Sequence, residues 1–72
     1  MNNTAAGFQI LVTTKGEAGF LSSETDLDLR TIYGVTMDPN LSGVYSTRER
    51  AERRAAKIAH RFDAVEVVPS ER

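Results

Sequence analysis

The side chains best able to do chemistry in this chain are a short run of carboxylates. Glu24, Asp26 and Asp28 occupy every second position, so they fall on one face of a strand or together in a loop. Paired carboxylates can hold a hard cation or transfer a proton. The run lacks the further oxygen ligands and the glycine of a calcium loop. We therefore interpret it as a solvated or partner-facing acidic patch.

The sequence offers few other catalytic or metal-binding groups. It has no cysteine, which excludes disulfides, thiolate metal sites and cysteine nucleophiles. Its one histidine, His60, lies at the border of an apolar helical stripe and is interpreted as a partly buried polar side chain. Nothing in the sequence pairs His60 with Ser46 or Asp63 as a triad. We predict no catalytic residue, no cofactor and no metal site, and hence no enzyme.

Basic residues are concentrated in the second half of the chain. Residues 48–61 hold six basic and two acidic side chains, a net charge of +4, whereas residues 17–38 hold five acidic and one basic, a net charge of −4. The candidate basic face consists of Arg50, Arg53, Arg54, Lys57 and Arg61. It could follow a phosphate backbone, but the whole chain has a charge of −1 and no aromatic residue interleaves the arginines. Solvation or protein contact is the favoured interpretation, and nucleic-acid binding is kept as an alternative.

A helix must carry these basic residues. Ser46 and Glu49 match a capping box, with Thr47 as an alternative cap, and neither glycine nor proline occurs from there to Phe62. Apolar residues recur on one helical stripe. The stripe consists of Ala51, Ala55, Ile58, Ala59 and Phe62.

The rest of the chain predicts strands. Residues 7–14 form the clearest one, apolar in the middle and therefore central, and residues 15–19 form a turn into a second strand. Residues 24–31 favour a strand over a capped helical turn. Residues 32–36 continue as a third strand, residues 37–40 turn, and residues 65–68 form the last strand.

These elements predict an α+β fold. We expect a small antiparallel or mixed sheet of three to four strands with one α-helix packed on one face. The 72 residues form a single domain, of which residues 1–6 are expected to be a flexible leader. The sequence shows no secretory signal and no apolar run near the length of about 18–20 residues that spans a membrane. A cytoplasmic, monomeric or weakly dimeric protein is expected.

The first strand is more apolar than one short helix can cover. Phe8, Ile10 and Val12 share one face, and surplus apolar surface often marks a binding site. We predict a partner-binding surface that combines this strand with the acidic run and its neighbour. Its residues are Phe8, Ile10, Val12, Asp26, Asp28 and Arg30.

One pattern extends over about half of the chain. It consists of Thr36, Asp38, Pro39, Tyr45, Ser46, Thr47, Glu49 and Ala51, followed by an alanine-rich helix and a valine strand. This pattern resembles that of small orphan proteins of bacteriophages and prophages. The chain departs from the common form at Val35, where tryptophan is frequent, and at Arg50, where a second glutamate is frequent.

The resemblance implies a function but transfers no catalytic residue. Such proteins commonly bind and redirect a host machine. The class nearest in size and layout binds host RNA polymerase and inhibits or modifies transcription in the bacterial cytoplasm. Anti-CRISPR-type inhibition of a nucleoprotein complex is the alternative that the resemblance implies.

Overall fold

The sheet places the most apolar strand at its centre. In the computed structural model, which describes residues 7–27 and 30–70, four strands form one antiparallel sheet in the order β3-β2-β1-β4. They are β1 (Phe8–Thr14), β2 (Glu17–Leu27), β3 (Arg30–Thr36) and β4 (Ala64–Pro69). One helix, α1 (Arg48–Ile58), continues as a 3₁₀ turn over Ala59–Arg61. The predicted fold class and the central position of the first strand are confirmed, and the predicted leader, residues 1–6, lies outside the described residues.

The core lies between α1 and the β1–β4 half of the sheet. Its buried members are Ile10 and Val12 from β1, Leu21 from β2, and Ala51 and Ile58 from α1. Val65 and Val67 of β4 pair with Val12 and Ile10, so their side chains share the face of the sheet that α1 covers. Ala51 is completely buried, and its small side chain allows the helix to approach the sheet closely.

The hairpin from β1 to β2 is tighter than the sequence predicted. Lys15 and Gly16 both have positive φ, at 53° and 82°, which is the backbone of a two-residue type I′ turn. Thr14 therefore pairs directly with Glu17, and residues 17–19 belong to β2 rather than to the turn. The prediction of one strand over residues 24–31 and a third strand from residue 32 is wrong. Residues 24–27 end β2 and residues 30–31 begin β3, and the two segments pair with each other, Asp26 with Thr31 and Leu27 with Arg30.

The segment that joins β3 to α1 returns to the sheet and fills a gap between β1 and β2. Phe8 and Tyr45 exchange two backbone hydrogen bonds, each of 2.8 Å. The backbone N–H of Gly43 and the hydroxyl of Ser42 both donate to the carbonyl oxygen of Leu21, at 3.3 and 2.9 Å. Residues 42–45 are thus fixed to both strands.

Helix α1 begins one residue later than a capping box at Ser46 requires. Thr47 is the N-cap, and its Oγ1 accepts a hydrogen bond of 3.1 Å from the backbone N–H of Arg50. The prediction of Ser46 as first-choice cap is wrong, because the helix starts at Arg48 and places Arg50, not Glu49, three residues after the cap. The hydroxyl of Ser46 instead lies 3.5 Å from Nη1 of Arg50.

Candidate partner-binding surface

The predicted surface on β1 is wrong for its two central residues. Ile10 is 0% exposed and Val12 is 2% exposed, because α1 lies across this face of the strand. Phe8 is half-buried, and the guanidinium carbon of Arg48 stands 5.3 Å from the centre of its ring. A partner could reach Ile10 and Val12 only by displacing the helix.

The charged half of that predicted surface is only partly described. Arg30 is exposed at the start of β3, and the backbone of Asp26 belongs to β2. Asp28 and the side chain of Asp26 lie outside the described residues, so their role stays a prediction. Glu24, two residues earlier, forms an ion pair of 2.9 Å with Arg54 of α1.

The five residues of the candidate basic face do not act as one group. Arg61 turns towards β3, where its guanidinium lies 5.2 Å from the ring centre of Tyr33 and donates a hydrogen bond of 3.2 Å to the carbonyl of Thr31. Tyr33 also meets Phe62 edge to face, with ring centroids 5.8 Å apart. Arg61 therefore stabilises the junction of the helix with β3.

The other four basic residues line one side of a surface groove of about 530 Å³. The opposite wall comes from the segment inserted between β1 and β2. The residues that line the groove are Val44, Tyr45, Ser46, Arg50, Arg53, Arg54 and Lys57. We call this site the cationic groove. None of its described lining residues is acidic, and of its four cations Arg54 is paired with Glu24 just outside the groove. The groove therefore has a surplus of positive charge.

Large apolar side chains are exposed mainly in residues 35–44. Met37 is 78% exposed and Leu41 68%, and Val35 and Val44 are also exposed. Ile32 is the further exposed example among the described residues, and it lies on the opposite face of β3 from Tyr33. Because Val44 also lines the cationic groove, this exposed apolar segment adjoins the basic site.

The sequence reasoning missed this exposed apolar segment, although a signal was present. Asp38, Pro39 and Gly43 break any regular apolar period, so the intervening apolar residues cannot all face one core. Asp38 instead caps a short 3₁₀ turn over Pro39–Leu41, and its carboxylate accepts a hydrogen bond of 2.9 Å from the backbone N–H of Asn40. This turn leaves Leu41 in solvent.

The structure places Ser46 and His60 at opposite ends of α1. His60 is exposed, so its interpretation as a partly buried side chain is wrong. It follows α1 whereas Ser46 precedes it, so about 20 Å of helix separates the two residues. The carboxylate of Asp63 accepts a hydrogen bond of 2.7 Å from the backbone N–H of Lys15 and so holds the β1–β2 turn against the start of β4. Among the described residues, no three histidine, cysteine or acidic side chains are close enough to hold a metal ion.

Comparison with known proteins leaves the assignment to the chain's own geometry. No protein-family model, no curated protein and no solved structure matches it. Within the described part of the chain, no helix has the length and apolar character needed to cross a membrane.

Proposed function

We propose that this chain is a non-enzymatic regulator that binds a protein machine of the bacterial cytoplasm. One observation carries the proposal: the exposed apolar segment, residues 35–44, adjoins the cationic groove through Val44. Exposed apolar side chains beside a charged rim are typical of surfaces that bind proteins.

The first target to test is bacterial RNA polymerase, whose transcription the chain would inhibit or modify. This choice depends on the resemblance of residues 36–51 to small phage proteins. The apolar part of the proposed interface consists of Met37 and Leu41, which are exposed, in place of Ile10 and Val12, which are buried.

The experiment measures binding to purified bacterial RNA polymerase by biolayer interferometry, together with promoter-dependent transcription. The Met37→Ser, Leu41→Ser double variant should bind at least about tenfold more weakly, a loss of about 1.4 kcal/mol. Ile32→Ser is the control, because Ile32 is also an exposed apolar residue but lies on the opposite face of β3 from Val35, the first residue of the exposed apolar segment. The control should stay within about twofold of the wild type in affinity and in transcription.

Two results would contradict the proposal in different ways. Absence of wild-type binding at about 100 μM, with transcription unchanged, would eliminate polymerase as the target. Equal binding of the wild type and the double variant would keep the target and eliminate the exposed apolar segment as its contact.

A further inference from the structure

We infer that the cationic groove binds a short acidic segment of the partner protein, with an apolar side chain among its carboxylates. The inference rests on the proposed function and specifies the part of the partner that is recognised. It depends on three features of the groove, namely its length, its apolar wall and its rigidity.

The length of the groove suits two carboxylates on alternate residues of an extended segment. Arg50, Arg53 or Arg54, and Lys57 present one cation on each successive turn of α1. From the first to the last, the helix rises about 10 Å. Carboxylates on alternate residues of an extended chain are about 7 Å apart, so two fit within this distance. A guanidinium can also bind a carboxylate with two parallel hydrogen bonds.

The opposite wall of the groove is apolar. Val44 is exposed there and Tyr45 is half-buried. A ligand that carried only anionic groups would leave this wall in water. A segment with an apolar residue between its carboxylates would cover the wall, and the burial would add to the ionic attraction.

Both walls are held in place before any ligand arrives. The backbone of Tyr45 is fixed to Phe8 by two hydrogen bonds, and Thr47 caps the first turn of α1. Arg54 is held by its ion pair with Glu24. Fixed walls lower the entropic cost of ordering the site on binding.

The aromatic content and the charge around the groove disfavour a nucleic acid as the occupant. Among the described residues lining the groove, Tyr45 is the one aromatic side chain available for base stacking, and Arg61 lies away beside Tyr33. The carboxylate of Glu24 sits at Arg54, and the whole chain carries a net charge of −1. A long phosphate backbone would extend beyond the groove, and the chain outside the groove carries a net negative charge.

The test uses fluorescence anisotropy with three labelled probes and the full-length chain. The first is a peptide of alternating glutamate and leucine about ten residues long, the second has glutamine in place of glutamate, and the third is a single-stranded oligothymidine of similar length. The acidic peptide should bind at least about tenfold more tightly than either of the others.

A pair of charge-matched variants locates the binding site. Arg53→Glu with Lys57→Glu reverses two exposed cations of the groove and should weaken binding of the acidic peptide at least about tenfold. Lys15→Glu with Arg30→Glu reverses two exposed cations outside it and should change binding by less than about threefold. Unaltered circular dichroism spectra would confirm that both variants fold.

The outcomes separate this inference from the proposed function. Tighter binding of the oligothymidine, or an equal loss in both double variants, would overturn the inference. Binding of none of the probes would also overturn it, without affecting a positive result with polymerase. If the chain binds the acidic peptide specifically but does not bind polymerase, the inference about the groove is supported and polymerase is eliminated as the target.

Discussion

Strand β1 and the exposed apolar segment, residues 35–44, use apolar side chains in opposite ways. β1 contains the unbroken apolar run Ile10, Leu11 and Val12, and Ile10 and Val12 are buried. The exposed apolar segment interrupts its apolar residues with Asp38, Pro39 and Gly43, and Met37 and Leu41 face solvent. An apolar run therefore indicates a central, covered strand, whereas apolar residues scattered among turn formers indicate a surface.

Hydrogen bonds nevertheless connect the exposed apolar segment to the sheet that contains β1. Tyr45, one residue beyond the exposed apolar segment, pairs with Phe8 at the start of β1. Within the segment, the carbonyl oxygen of Pro39 accepts a hydrogen bond of 2.7 Å from the buried amide of Gln9. The core of the sheet thus supports the exposed segment, and substitutions can test how far the two are independent.

The largest expected effect is that of Ile10→Ala in the centre of the core. Removal of a completely buried isoleucine side chain should lower the free energy of unfolding by about 2–5 kcal/mol, a large share of the stability of so small a domain. Urea denaturation followed by circular dichroism measures the loss. Ile10→Val, with an expected loss of about 0.5–1.5 kcal/mol, gives a measurable value if the alanine variant does not fold.

Leu41→Ala is the matched comparison from the exposed apolar segment. Because Leu41 is 68% exposed, its removal should change the free energy of unfolding by less than about 0.5 kcal/mol. A loss as large as that of Ile10→Ala would show that Leu41 packs in the core and would break the contrast between the two regions.

Gly7→Ala should have the next largest effect, because it acts where the two regions meet. Gly7 has a φ of +145°, and an added Cβ would stand 2.6 Å from Cγ1 of Val44 and 2.7 Å from the carbonyl oxygen of Tyr45. The strained backbone alone should cost about 1–3 kcal/mol. Thermal unfolding measures the loss.

Gly43→Ala is the control for that substitution, since a Cβ there would meet no atom within 4 Å. Its melting temperature should stay near or slightly above that of the wild type, because alanine restricts the unfolded chain. If both glycine variants lose the same stability, the close approach of Gly7 to Val44 and Tyr45 is not what matters at this site.

Local patterns predicted most of the fold, whereas the site depends on contacts that no local pattern encodes. The apolar run of β1, the valines of β4 and the apolar period of α1 indicated elements that the structure contains. The N-cap was predicted one residue too early, at Ser46 instead of Thr47. Both residues are good N-caps, so the local sequence does not determine at which of them the helix starts.

The grouping of basic residues failed for a geometric reason. Arg61 follows Lys57 by four residues and would share its face in a continuous α-helix, but it belongs to the 3₁₀ turn and points to Tyr33. The apolar wall of the groove was missed because it depends on the pairing of Tyr45 with Phe8, 37 residues earlier in the chain. The charge pattern therefore predicted the basic residues of the cationic groove but not its apolar wall.

A smaller loss than that of Gly7→Ala tests how firmly β2 holds the connection between the two regions. Ser42 is buried, and its hydroxyl donates hydrogen bonds to the carbonyl oxygens of Leu21 and Gly43, at 2.9 and 3.1 Å. Ser42→Ala should cost about 0.5–1.5 kcal/mol of unfolding free energy. The carbonyl of Leu21 keeps the backbone N–H of Gly43 as a donor, which argues for the lower half of that range.

Ser46→Ala, at an exposed serine outside the helix cap, is the control and should change stability by less than about 0.5 kcal/mol. If the two alanine variants unfold at the same urea concentration, the Ser42 hydroxyl does not secure the exposed apolar segment, and the backbone pairing of Tyr45 with Phe8 must hold it to the sheet.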